Sequence, residues 1–398
     1  MIQIYMIKEL NPLEFKNELI NILDYWSTNM QDETRGGFYG RIDGKNELHE
    51  KANKGVILNS RILWTFSAAF NLISDPKYKK IADRAFHYFI DHFIDQKFGG
   101  VYWLLDVIGN PVETKKQIYA QSFAIYGLTE YYKITREEKA LSISIDLFNL
   151  IEKHAFDPDK NGYYEALDRS WNPRDDVRLS EKDLNAQKTM NTHLHILEAY
   201  TNLYQVWKND KLRDKLKNLI DIMIVLFVSS ENHFNLFYDD NWKLLSDEFS
   251  FGHDIEGSWL LFEAAEILDD EEILRKVEKT VIDMVEASLK GMDSDGGLMN
   301  EGDESGITDS DKHWWPQAEA LVGLINAWQL TKNIKYLEQA SKTWIFIKSK
   351  LVDKEHGEWF WKVSKEGVKD TEEDKAGPWK CPYHNGRAMI ECYLRLKN

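Results

Sequence analysis

The chain has only two cysteines among its 398 residues, Cys381 and Cys392. Two thiols so close together staple nothing large, and a reducing cytoplasm is the expected setting. Positive charge is also in deficit. Fifty Lys and Arg face 66 Asp and Glu, giving a net charge of −16. No basic face offsets that imbalance, which argues against nucleic acid and anionic membrane as partners. No apolar run reaches the roughly 18 residues of a membrane span. The opening MIQIYMIKELNPLEF lacks the basic start, long apolar core and small-residue cleavage site of a secretory leader. No Pro/Gly/Ser-rich linker divides the chain, so one domain over residues 1–398 is expected. Nucleotide fingerprints are missing: there is no G-x-G-x-x-G after a strand and no G-x-x-x-x-G-K-[ST]. A G-x-S-x-G nucleophile elbow is missing too. What is abundant is aromatic. The 14 Trp, 18 Tyr and 19 Phe suit either large cores or a cleft that stacks on sugar rings.

A loop signature recurs along the chain. It reads DETRGGFYGR near Gly37, DQKFGGVYWL near Gly100, DPDKNGYYEA near Gly162, DSDGGLMNEG near Gly297 and DKEHGEWFWK near Gly357. A degenerate copy, NHFNLFYDDNW, surrounds Phe237. Six copies of about 66 residues ask for a closed or stacked architecture. An acidic residue, a glycine and an alternating aromatic run predict a tight turn leading into a short strand or hairpin. Two helices fit between successive turns. One set, at 13–30, 77–94, 136–154, 211–228, 271–290 and 334–352, shows apolar residues at three and four with Lys and Glu between, as in LRDKLKNLIDIMIVLF. The first two begin beside Pro12 and Pro76, where a missing N–H costs nothing. The other set follows the turns: GVILNSRILWTFSAAFNL, QIYAQSFAIYGLTEYY, KTMNTHLHILEAYTNLY, FGHDIEGSWLLFEAAEIL, HWWPQAEALVGLINAW and CPYHNGRAMIECYLRL. These are apolar all round with small residues interspersed, which implies burial. The expected fold is therefore all-α: twelve helices in an (α/α)6 barrel with short aromatic β-hairpin loops, closed so that no end repeat is exposed.

The unusual polar residues sit early in the second set. They are Arg61, Tyr119, Asn191 with His195, His253 with Glu256, Trp314 and Trp315 with Glu319, and His384. A closed barrel would bring all six of these helix starts to one face and one pocket. Asn191, His195 and Glu198 share a stripe at i, i+4 and i+7. His193 lies two residues from His195 and must point elsewhere, so His195 is preferred as the site histidine. His253 and Glu256 at i, i+3 suit a carboxylate that orients an imidazole. The bland readings compete. A buried histidine can be structural, Arg61 can belong to a core ion pair, and Tyr119 can simply pack on Phe123 and Tyr126. The turn aromatics Tyr39, Tyr102, Trp103, Tyr164, Trp359 and Trp361 suit hairpin packing first. His195, His253, Glu256 and His384 could also form a metal site, but the preferred reading takes no metal and no cofactor. Three imidazoles, an arginine and carboxylates suit proton transfer beside a carbonyl, with arginine stabilising the enediolate oxygen.

The stretches NSRILW, KTMNTHLHILEAY, FGHDIEGSWLL, WWPQAEA and KCPYHNGR resemble, in order and over almost the whole chain, the motifs of the N-acylglucosamine 2-epimerase superfamily, especially its members acting on cellobiose. The resemblance implies an (α/α)6 barrel and epimerisation at C2 of the reducing-end glucose of cellobiose and related β-1,4-linked disaccharides. It implies His253 and His384 as the general acid/base pair, His195 assisting ring opening, Arg61 facing the reactive oxygens and Glu256 as the partner of His253. Tyr119, Asn191, Trp315, Glu319 and Trp379 would line the sugar site, with Trp314 beside it. A disaccharide is then the expected partner, with no nucleic acid and no membrane, and the chain is expected to be a monomer. Aldose–ketose isomerisation and N-acylhexosamine 2-epimerisation stay open as alternatives within the superfamily. A glycoside hydrolase would instead need two separated carboxylates, with Asp295, Glu301 and Glu319 as candidates. A non-catalytic sugar binder would need only the aromatics.

Overall fold

In the computed structural model, which describes residues 10–397, helix starts are set by caps of two kinds. The first kind is a side chain. Asn11 caps α1 (Pro12–Asn29), Asp75 caps α3 (Pro76–Tyr88) and Glu137 caps α5 (Glu138–His154). Asn209 caps α7 (Asp210–Ile222), Asp270 caps α9 (Glu271–Ser288) and Asn333 caps α11 (Ile334–Phe346). Each side chain accepts from a backbone N–H of the first turn that has no partner inside the helix. These six amphipathic helices form the outer layer. Three of them run on into a wider π turn, at Phe89–Phe93, Met223–Phe227 and Ile347–Leu351.

The second kind of cap is another repeat unit. The even-numbered helices are α2 (Val56–Ile73), α4 (Ile118–Thr135), α6 (Met190–Val206), α8 (Phe251–Leu268), α10 (Trp314–Thr331) and α12 (Tyr383–Leu396). In five of them the first N–H donates to a carbonyl of the following unit. Val56 bonds Trp103, Ile118 bonds Glu165, Met190 bonds Leu236, Phe251 bonds Asn300 and Trp314 bonds Trp361. Short antiparallel strand pairs flank these bonds, for example Lys54–Gly55 on Leu104–Leu105 and Lys312–His313 on Lys362–Val363. A bridge between Ile42 and Ala376 joins the last unit to the first. The even helices pack in sequence, and α12 returns to α2 and α1, so the ring closes. The architecture is an (α/α)6 barrel. Each of the six turns closes on a single bridge, such as Gln31 with Phe38 or Ile94 with Val101, and short hairpins follow in two units, where Leu104–Leu105 pairs with Pro111–Glu113 and Glu301–Asp303 with Gly306–Asp309.

One inner helix corrects the reading of hydropathy. With a mean hydropathy of 1.3, Val56–Ile73 is long and apolar enough to cross a membrane, yet 78% of it is buried inside the protein. A central position in the barrel demands the same composition as a lipid span.

A buried ion pair recurs beneath the rim. A lysine at the start of an inner helix reaches back to the aspartate of the preceding turn: Lys54 to Asp32 at 3.0 Å, Lys116 to Asp95 at 3.1 Å, Lys188 to Asp157 at 2.8 Å and Lys312 to Asp293 at 2.8 Å. In the sixth unit Lys375 reaches Asp353 at 2.8 Å. The aspartates also accept turn N–H groups, so each pair pins a loop to a helix start. The degenerate fourth unit has neither partner. Phe249 stacks on His233 there, with ring centroids 3.8 Å apart, and His233 bonds Asp254 at 2.6 Å. Removing one member of a buried pair strands the other charge. Lys188→Met is therefore expected to lower unfolding free energy by about 3 kcal/mol in urea titration, and adding Asp157→Asn to recover part of the loss.

Candidate active site

Counting from the residue that caps each inner helix, the second and sixth positions face the barrel axis. They lie four apart and share one stripe. From Gln117 the second position is Tyr119, and from Gly55 the sixth is Arg61. From Thr189 the stripe gives Asn191 and His195, and from His313 it gives Trp315 and Glu319. From Pro382 it gives His384, and from Ser250 it gives Gly252 and Glu256. Gly252 has no side chain because the Trp315 ring fills that space: a Cβ would sit 2.6 Å from it. His253, one residue on, takes its place at the axis.

These tips enclose a cavity of about 480 Å³. Ten of the eleven expected site residues line it: Arg61, Tyr119, Asn191, His195, His253, Glu256, Trp314, Trp315, Trp379 and His384. Glu319 does not, because it is wholly buried one layer behind. The sequence reading missed most of the other wall. Leu179 to Asp183 and Glu373 complete the mouth with Trp361, which the sequence reading had assigned first to hairpin packing. The 179–183 segment belongs to the long loop of the third unit, where the Asp–Lys spacing is 31 residues instead of 19 to 22. That excess length was its only trace in the sequence. Gln117 holds the loop through Val177 O at 3.2 Å, and Lys115 does so through Arg178 O at 3.0 Å.

In four of the inner helices the fourth position after the cap faces away from the axis and latches the turn. Gln121, His193, Asp254 and Gln317 each accept the N–H of a turn residue: Val101 at 2.8 Å, Tyr163 at 2.9 Å, Phe234 at 2.7 Å and Leu298 at 2.7 Å. His193 thus serves the turn, with its Nδ1 donating to Thr189 O at 2.7 Å. Gly162 beside this latch has a φ of +87°, and a Cβ there would meet the Trp242 ring at 2.5 Å and His193 Nε2 at 3.1 Å.

Three imidazoles present a free Nε2 to the cavity. His195 donates Nδ1–H to Glu198 at 2.8 Å, and His384 donates Nδ1–H to Glu319 at 2.7 Å. The expected His253–Glu256 pair does not form, and His253 Nδ1 has no partner. Its ring lies against Trp315, centroids 4.7 Å apart, while Glu256 is taken by Arg387 at 2.6 Å. Spacing of i, i+3 lets two side chains meet, but the guanidinium is a stronger partner for the carboxylate. Glu319 likewise serves His384 and does not line the sugar site. Burial holds His253 down to about 3, reinforced by nearby His195. Burial lowers His384 well below the usual imidazole range, aided by Arg61 and Arg387. Both rings are therefore neutral at pH 7.

Arg61 has no carboxylate partner among the described residues. It donates to Tyr119 Oη at 2.7 Å and lies 3.6 Å from the Cys381 thiol. Its guanidinium sits 4.2 Å from the Phe123 ring centre and 4.7 Å from that of Tyr383. A buried cation boxed by aromatics and lacking a counter-ion favours an anion that arrives or develops beside it.

Arg387, absent from the sequence-based site, lies beneath the histidines. Its Nη2 bonds Glu256 at 2.6 Å and Glu319 at 2.7 Å, and its Nη1 bonds Glu198 and Tyr383. Glu198 is brought down to about 2: burial opposes ionisation, but Arg387 and His195 outweigh it. Glu256 is pushed up to about 7, by burial and by the charge on Glu319. Three carboxylates around one guanidinium cannot all ionise cheaply. Glu256, Glu319 and His384 place ligand atoms within 4.8 Å of one another, a spacing fit for a metal ion. Arg387 already supplies the cation there, so this donor set does not favour a metal. The carboxylates suggested for hydrolysis do not converge, since Asp295 and Glu301 are exposed and Glu319 is buried.

Fold and site define an (α/α)6-barrel protein whose inner-helix tips direct three imidazoles and an unneutralised guanidinium into one aromatic-walled cavity. The chain belongs to the N-acylglucosamine 2-epimerase (GlcNAc 2-epimerase) family, whose profile matches residues 37–388. A cellobiose 2-epimerase of Bacteroides fragilis is 50% identical over 96% of this chain and 98% of its own length. One from Ruminococcus albus is 40% identical over 96% and 98%. The solved structure of cellobiose 2-epimerase from Bacillus thermoamylovorans superposes with a TM-score of 0.93 at 38% identity, covering 97% of this chain and 99% of that one. A D-mannose isomerase structure, at 20% identity and a TM-score of 0.86, shares the fold.

The latch assignment has a direct test. His193→Gln, which copies Gln121 and Gln317, should keep Tm within about 2 °C. His193→Leu leaves the Tyr163 N–H unpaired and should cost about 1–3 kcal/mol in urea denaturation.

Proposed function

We propose that the protein is a 2-epimerase that inverts C2 of the reducing-end glucose of cellobiose and related β-1,4-linked disaccharides, giving a mannose unit. The relatives named above support the substrate class. The observation that carries the chemistry is the set of three free Nε2 atoms facing one cavity beside an uncompensated arginine.

In this reading His195 assists opening of the sugar ring, which exposes the C1 carbonyl. A neutral imidazole, His253 or His384, then removes the C2 proton, and the electron pair moves through C2–C1 onto O1. The resulting cis-enediolate is the anion that Arg61 is placed to receive, with the Tyr119 hydroxyl on the same guanidinium. Inversion requires the proton to return to the opposite face of C2 from the other imidazole. His384 is the stronger base and the better proton store, because Glu319 stabilises its imidazolium. His253, with no partner on Nδ1, holds a proton less tightly and is the readier acid once protonated. Trp315 neighbours both rings, 4.7 Å from His253 and 5.6 Å from His384 between centroids, and offers a face for the planar intermediate. Asn191, Trp314 and Trp379 complete the contact surface for the sugar. Glu256 and Glu319 act from behind, through Arg387 and His384.

Incubation with cellobiose in heavy water, followed by NMR, should replace the C2 proton by deuterium and yield the glucosyl-mannose product. Release of free glucose would instead point to hydrolysis, and an unchanged spectrum would leave only a binder. His253→Asn and His384→Asn should each lower kcat at least about a thousandfold with Tm nearly unchanged. Depressed imidazole pKa values keep the base form populated in mild acid. The acid limb of kcat/KM should therefore fall below about 6.5, the value of a free imidazole.

A further inference from the structure

We propose that Arg387 is a positioning residue for the epimerisation inferred above: it ties the carboxylates behind His195 and His384 into one hydrogen-bonded unit and so fixes which imidazole nitrogen faces the sugar. The bonds run in two parallel chains from a single guanidinium. One passes from Nη1 to Glu198 and on to His195 Nδ1; the other passes from Nη2 to Glu319 and on to His384 Nδ1. Each carboxylate accepts from the arginine on one side and from an imidazole on the other. An ionised acceptor at Nδ1 requires the proton to sit there, which leaves the Nε2 lone pair aimed at the cavity. The two histidines come from α6 and α12, at far-separated positions in the chain, and among the described residues Arg387 links the groups that orient them.

The arrangement also lowers the net negative charge behind the imidazoles. Toward this centre α2 contributes Arg61, α6 contributes His195 and Glu198, and α8 contributes His253 and Glu256. Glu319 comes from α10, and Tyr383 lies beside Arg387 on α12. Without the guanidinium, Glu198 and Glu319 keep only His195 and His384 as close counter-cations. The imidazoles would then hold their protons more tightly. Burial is the main force lowering His384, and the positive charge of Arg387 adds to it, so loss of that charge moves the histidine upward. Arg387 and Glu198 also border a second cavity of about 410 Å³ toward the carboxyl ends of the inner helices. The guanidinium therefore stands between the catalytic cavity and that space.

The experiment compares Arg387→Met with Arg387→Lys. Arg387→Met should lower kcat at least about a hundredfold, with KM within threefold, and raise the acid limb of kcat/KM by at least one pH unit. Arg387→Lys keeps the charge but loses the fork. It should lower kcat about tenfold or more with a much smaller shift of the acid limb. A folded Arg387→Met enzyme with a wild-type pH profile would overturn the proposal, as would losses that merely track the folded fraction. If Arg387→Met does not fold, Arg387→Lys decides, and wild-type kcat in that variant refutes the role. Nitrogen-15 NMR of labelled histidines, assigned with His195→Gln and His384→Gln, gives a readout that needs no substrate. In Arg387→Lys both rings should lose their pure Nδ1–H tautomer, and unchanged tautomers would refute the role. Failure of the wild-type protein to act on cellobiose would sink the epimerase reading while leaving this measurement to judge Arg387.

Discussion

The bond from the first N–H of an inner helix to a carbonyl of the next unit is the constraint on which the rest depends. A helix start has N–H groups with no partner inside the helix. Val56, Ile118, Met190, Phe251 and Trp314 all resolve that deficit outside their own unit. Five of the six units then cannot complete their inner helices alone. The bonds also hold the starts at one level around the ring, and the buried Asp–Lys pairs lock each turn beneath its start. A side chain two or six residues past the cap therefore has a fixed height and direction. Histidines on different helices can meet over a single sugar ring only because their backbones are registered in this way.

Burial does most of the electrical work at the site. It keeps His253 and His384 neutral and makes three adjacent glutamates compete for one arginine. The buried carboxylates beneath the cavity share Arg387, whereas at Arg61 aromatic faces and a phenol stand in for a counter-ion. That exception matters for chemistry. A guanidinium already paired with a carboxylate gains little from a second anion, whereas one held among rings gains a great deal.

Much of this was legible in the sequence. The turn signature and the two helical periodicities gave the ring, the helix starts gave nine of the cavity residues, and the family resemblance added Trp379. His195 could be separated from His193 because i and i+2 diverge on a helix, and the structure puts His193 on a turn latch. Partnerships were less legible. His253 and Glu256 are close in sequence, but Glu256 bonds Arg387, which arrives from a residue 131 positions away. Local spacing cannot weigh a rival that distant. Glu319 was placed among the sugar contacts by the family resemblance, although its depth on the helix puts it behind His384. The 179–183 segment escaped notice because it belongs to no repeat.

The latch and the axis stripe lie on the same turn of helix but answer to different demands. At the fourth position an acceptor is enough, and Gln, His and Asp all serve. At the second and sixth positions the ring asks for nothing in particular, and Arg, Tyr, Asn, His, Trp and Glu occupy them in turn. Architecture and chemistry are thus written on separate letters of one short word. Such a scaffold can exchange its reagents one spoke at a time, each trial leaving the hoop that holds the spokes intact.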